Sequence, residues 1–147
     1  MEQKIINGVL AGTIAGILKD VPDSIFHNVL KKTDLTFWDY AGIVMFGRHP
    51  HGFWETCFSF FFEIVFSILL GTIFVYLVER LNLKRRLLWG ALYGGIVWFA
   101  IRAAVAGFQI KALLHNNLAT SAANSFNSII YGLILGFLVQ YFEKKTF

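Results

Sequence analysis

The sequence predicts an all-α fold: a polytopic membrane four-helix bundle made of two related helical hairpins. Three observations carry this expectation. The chain has 147 residues, of which 56% are hydrophobic and only 15% charged, with a mean hydropathy of +0.61. That is more apolar surface than a soluble domain of this size hides. The apolar residues fall into four runs near the ~20 residues that a helix needs to cross the hydrocarbon core. Small and polar residues recur inside those runs at a spacing of four, on one helical face. Residues 1–147 therefore read as a single integral membrane domain. Aromatics at 17%, with 16 phenylalanines, exclude a disordered chain.

The spans are expected at residues 5–30, 53–78, 87–114 and 118–142. Lipid offers no partner to a free peptide group, so they must be helices. The first tolerates polar residues in its outer part. The connection to the second is long, and within it residues 35–46 read LTFWDYAGIVMF. Thr33 or Asp34 can cap a short helix there, and Gly47 can end it. Phe37, Trp38 and Tyr40 suit the headgroup zone, which predicts a helix lying in the outer interface. A re-entrant segment is the alternative.

Charge sets the orientation. Lys4, Arg80, Lys84, Arg85, Arg86, Lys144 and Lys145 flank one side, which the positive-inside rule makes cytoplasmic, with both termini on it. The other side sets Asp20, Asp23, Asp34, Asp39 and Glu55 against Lys19, Lys31, Lys32, Arg48, Arg102 and Lys111, close to neutrality. The net charge of +4 is thus a topology signal, and nucleic acid is not an expected partner. The partner is the lipid bilayer. The run beginning at Ile5 lacks a basic leader region and a clear cleavage site, so no secretory leader is expected. The single cysteine, Cys57, permits no intrachain disulfide and reads as packing among phenylalanines.

An internal repeat underlies the hairpins. A shift of 82 residues carries Gly8, Gly12 and Asp20 onto Gly90, Gly94 and Arg102. A shift of 65 carries Glu55, Ser59, Glu63, Ser67 and Gly71 onto Thr120, Asn124, Ser128, Gly132 and Gly136. Two hairpins of the same direction, related about the membrane normal, follow from this. Small residues at such spacing let helices approach closely in lipid.

Helix rise places Asp20, Glu63 and Arg102 at one depth, roughly 22 to 24 Å from the cytoplasmic end of their spans at about 1.5 Å per residue. An unpaired charge at such depth costs about 3 kcal/mol or more. Arg102 is therefore expected to pair with Asp20, Glu63 or both, with Asn124 and Asn127 completing the hydrogen bonds. Lys19, Asp20, Asp23, Glu63, Arg102, Asn124 and Asn127 form the expected ligand or ion pocket, open to the outer side. Pro22, among them, can kink or break the first span and free carbonyls.

His27, His49, His51, Glu55 and His115 all fall on the outer side by this topology. Imidazoles and carboxylates together are transition-metal ligands, yet the residues are scattered and match no metal motif, so no cofactor is predicted. Asp20, Asp23, Glu63 and His27 offer acid and base groups, but nothing fixes a substrate.

Two stretches resemble the YqhR-like membrane proteins of Gram-positive bacteria. One is Lys84-Arg-Arg-Leu-Leu-Trp89-Gly90-Ala-Leu-Tyr93-Gly94-Gly-Ile-Val-Trp98. The other is Tyr131-Gly132-Leu-Ile-Leu-Gly136 with the acidic end at Glu143. The resemblance covers the second half best and departs over residues 19–51. It implies the same helical layout in a bacterial plasma membrane, and brings no activity with it. The leading expectation is a membrane protein with a polar, outward-facing pocket for an ion or small polar ligand. Four short helices enclose little volume, so transport would call for a homo-oligomer. The alternatives are an accessory subunit whose buried charges fix helix packing, and a metal-dependent membrane enzyme.

Overall fold

The computed structural model describes residues 2–145. Among these, the regular elements are all helices: α1 (Glu2–Ser24), α2 (Phe37–Phe46), α3 (Gly52–Arg80), α4 (Arg86–Gly107), α5 (Lys111–Leu114) and α6 (Leu118–Lys145). Pro22 removes one N–H from the ladder of α1 but does not end it. The helix instead widens into a π-helical turn, Ile25–Val29, whose C-terminal Leu30 N–H bonds to the Ile25 carbonyl.

Four helical stretches are long and apolar enough to cross a membrane: Glu2–Val29, Gly52–Arg80, Arg86–Gly107 and Leu118–Lys145. The third is shorter than the expected 87–114. Helix α4 stops at Gly107, Gln109 adopts a left-handed φ of 53°, and the chain restarts as the one-turn α5. Hydropathy missed this break because its one polar residue, Gln109, stands between Phe108 and Ile110, which are as apolar as the helix they interrupt.

Helix α1 packs against both α3 and α6, and α4 packs against α6. Glycine permits these contacts. A Cβ on Gly71 would sit 2.6 Å from Gly12 Cα, and one on Gly132 would strike the Gly90 carbonyl oxygen. The backbones therefore touch without side chains between them. One end of the assembly is tied by charge. Lys4 pairs with Glu79 at 2.6 Å, and Arg86 reaches both carboxylate oxygens of Glu143 at 3.1 Å.

Helix α3 and helix α4 follow each other in sequence yet touch only slightly. Near their connecting loop Tyr93 closes the gap, its ring tilted against Phe74 and its hydroxyl donating to the Leu70 carbonyl at 2.8 Å. Further along, α2 fills the space. It starts at Thr36, whose hydroxyl accepts from Asp39 N while the Asp39 carboxylate accepts from Thr36 N, a reciprocal capping box. The cap thus lies beyond the expected Thr33 or Asp34, because Asp39 stands three residues after Thr36. Gly47 ends the helix at φ 69°, as its position suggested. Phe37 and Tyr40 are buried edge-on against Trp98, and Gly42 lies against Ser59 and Pro50.

Polar and charged side chains share the interior with an apolar core, and large hydrocarbon side chains cover the outside. Lys19, Asp20, Asp23, Glu63, Asn124 and Asn127 are buried, while Phe53, Trp54, Ile96, Phe99 and Phe137 are exposed. Cys57 is exposed on α3.

Candidate functional site

Lys19 and Asp20 leave α1 where it passes Glu63 of α3. The Lys19 ammonium lies 2.6 Å from Asp20 Oδ1 and 2.5 Å from Glu63 Oε1. It also sits 4.2 Å from the centre of the Phe37 ring, a cation–π contact reached from α2. Ser67, one turn beyond Glu63, donates to the same Oε1 at 3.0 Å. The Tyr131 hydroxyl of α6 donates to the Ser67 carbonyl at 2.7 Å. One buried ammonium and two buried carboxylates therefore knit α1, α2 and α3 together, and Tyr131 ties α6 to the Ser67 backbone beside them. Lys19 and Glu63 are each 5% exposed.

Each carboxylate has one oxygen to spare. Asp20 Oδ2 and Glu63 Oε2 are buried with no hydrogen-bond partner among the described residues. The same holds for both amide atoms of Asn124 and for Asn127 Oδ1. A buried polar atom left this way is costly and calls for an explanation.

Arg102 does not join the cluster. Its guanidinium donates to the Leu113 carbonyl at 2.6 Å and the Leu114 carbonyl at 3.1 Å, and no carboxylate pairs with it among the described residues. This overturns the expected Arg102 ion pair. The break after α4 brings α5 back over Arg102, and the free carbonyls at the end of that single turn take its donors. Lys19 supplies the cation instead. Nor do the asparagines complete the cluster. Asn127 donates to Asp23 Oδ1 at 3.4 Å, and Asn124 makes no bond to it.

Asp23 has a separate task. Its Oδ2 accepts from Phe37 N at 2.8 Å, in the first turn of α2. A carboxylate there satisfies a free N–H and suits the positive end of the helix. It hangs α2 from α1.

Between α3 and α4 lies a cavity of about 320 Å³. Helices α2 and α5 bound it on one side, and Lys19, Glu63, Ser67, Ser128 and Tyr131 form its polar base. Its remaining wall is hydrocarbon and aromatic, with Phe62, Phe66, Val97 and Ile101 prominent. Phe66 and Val44, at its rim, are exposed on the outside of the helices. Tyr131 was the residue the sequence reading passed over. Its signal was available, since it lies one turn after Ser128 on the small and polar face of α6.

The histidines do other work. His27 Nδ1 is 2.9 Å from the Thr33 carbonyl. His49 and His51 are exposed in the loop before α3, where Arg48 makes a two-pronged bond to Glu55 at 2.8 and 2.9 Å. That hydrogen-bonded carboxylate holds the Arg48 guanidinium above its ordinary pKa. His115 is exposed after α5. Among the described residues, no three His, Cys, Asp or Glu side chains gather to hold a metal ion.

The molecule so assembled has polar groups inside, hydrocarbon side chains outside, and four helices of membrane-crossing length. Those features are compatible with a membrane protein. No family model, curated protein or solved structure matches the chain.

Proposed function

We propose that this is a multi-pass membrane protein that binds a small ligand at the Lys19–Asp20–Glu63 cluster, reached through the cavity between α3 and α4. The observation that carries the reading is the position of the cluster. Its Lys19 and Glu63 line the base of a cavity, and the cluster holds carboxylate oxygens that no described residue satisfies. Intramembrane charge is rare and is retained mainly where it functions. The volume of about 320 Å³ falls at the lower end of the range for small-molecule sites, roughly 300–1,000 Å³.

In this reading both termini and the basic 80–86 segment lie in the cytoplasm of a bacterial cell, and membership of the YqhR-like group is part of the proposal. The α1/α3 and α4/α6 pairs are read as a duplicated hairpin. Its support is that Gly12 meets Gly71 in one pair, and Gly90 meets Gly132 and Gly136 in the other, backbone against backbone. Helix α2 is read as lying at the outer interface, wedged inward by Phe37 and Tyr40.

A second reading, that the charges serve packing alone, is favoured by one observation. The Tyr131–Ser67–Glu63 chain of hydrogen bonds ties α6 to α3 without any ligand. Density maps of the protein in lipid nanodiscs decide between them. Non-protein density between α3 and α4 that touches Glu63 supports binding. Helices α3 and α4 in direct contact, with both Glu63 oxygens bonded to protein, would reduce the cluster to a packing device.

A further inference from the structure

Resting on that ligand-binding reading, we infer that the ligand is a lipophilic cation: a single-chain amine, protonated, that enters sideways from the bilayer. Its ammonium group would donate to Glu63 Oε2 while its hydrocarbon lies in the gap between α3 and α4.

Charge gives the head group. The cluster joins two carboxylates to one ammonium, so with all three ionised it carries one negative charge too many. Arg102, the next cation, is turned away to the Leu113 and Leu114 carbonyls. Asp23 adds no demand of its own, since Phe37 N and the start of α2 answer it. Inside a low-dielectric layer an unbalanced charge is expensive. Glu63 Oε2 is the group placed to accept a balancing cation. It is buried and unpartnered, on a residue that lines the cavity. An acceptor with no donor calls for an N–H, which a protonated amine supplies and an anion does not.

The wall gives the rest of the molecule. Beyond Lys19, Glu63, Ser67, Ser128, Tyr131 and Tyr40, whose hydroxyl accepts from Asn116, the lining is apolar. The Phe37 ring stands 4.2 Å from the Lys19 ammonium, Phe62 and Phe66 also line the cavity, and ring faces attract cations. A small inorganic ion would leave most of this wall without a partner. The rim residues Val44 and Phe66 are exposed at the helix surface, so a chain can pass from lipid to cavity without crossing water.

The test uses full-length protein in nanodiscs of zwitterionic lipid at neutral pH, with radiolabelled dodecylamine as probe. Dodecanol and dodecyl sulfate are the competitors. The expected result is saturable binding of the amine, at least tenfold weaker in Glu63→Gln, and displaced by neither competitor at tenfold excess. Val97→Phe keeps the cluster but fills the gap, so it should abolish binding without lowering the melting temperature. That variant decides the matter if Glu63→Gln fails to fold. Equal displacement by dodecanol or dodecyl sulfate would overturn the cation assignment while leaving a ligand cavity in place. Binding unchanged in Val97→Phe, or no saturable binding by the wild type, would overturn the inference outright.

Discussion

Lys19 of α1 and Glu63 of α3 meet at 2.5 Å in the interior, each side chain 6% exposed. The same ammonium reaches Asp20 at 2.6 Å. Removing one partner of such a pair strands the others. Lys19→Met should therefore destabilise the protein by about 3–5 kcal/mol. Lys19→Met combined with Glu63→Gln should recover part of that loss, because one stranded carboxylate is gone. Unfolding in a fixed detergent, followed by tryptophan fluorescence, measures both. Additive losses in the double variant would show that the two residues do not interact.

The contact between α4 and α6 depends on missing side chains. A methyl group at Gly132 would run into the Gly90 carbonyl, whereas one at Gly95 meets only Ile129 Cγ1 at 4.0 Å. Gly132→Ala should cost about 1–3 kcal/mol from overpacking. Gly95→Ala should change little. Melting temperatures of the two variants check the contrast, and equal effects would contradict the backbone contact.

Arg102 holds α5 closed over the end of α4 by its two bonds to carbonyls. Arg102→Leu should leave both carbonyls free and loosen residues 107–116, at a cost of about 1–3 kcal/mol. Hydrogen exchange read along the chain should rise in that segment and not around Lys19. A rise at Lys19 and Glu63 instead would restore Arg102 to the charge cluster.

The capping box of α2 predicts a milder change. Thr36→Ala removes the hydroxyl that accepts from Asp39 N and should cost about 1 kcal/mol. Faster exchange of the amides at the start of α2 is the expected signature. No change there would mean that Asp23, through Phe37 N, holds the helix start alone.

Much of this architecture was legible in the residues, and for identifiable reasons. Length and apolarity located four long helices, because a hydrocarbon solvent leaves few other choices. The spacing of glycine and serine marked the faces that meet, and Gly47 marked the end of α2. The cluster was only half legible. Asp20 and Glu63 could be matched by depth along their helices, but the partner could not. Lys19 and Arg102 both belonged to the expected pocket, but Arg102 lay at the depth of Asp20 and Glu63 and so drew the expected ion pair. What moved Arg102 away was the break after Gly107, where the single polar Gln109 between Phe108 and Ile110 leaves the hydropathy close to that of a helix. The hydrocarbon wall of the cavity was invisible for a related reason. It arises where α3 and α4 fail to pack, and a sequence records contacts more readily than gaps.

Lys19 is the buried cation that joins α1 to α3. Solid-state NMR of protein in lipid bilayers, with 15N-labelled lysine and arginine and 13C-labelled carboxylates, tests this directly. The account predicts strong dipolar coupling of Lys19 Nζ to the Asp20 and Glu63 carboxyl carbons, and none from Arg102 to either. Coupling of Arg102 to Glu63, with Lys19 uncoupled, would contradict it.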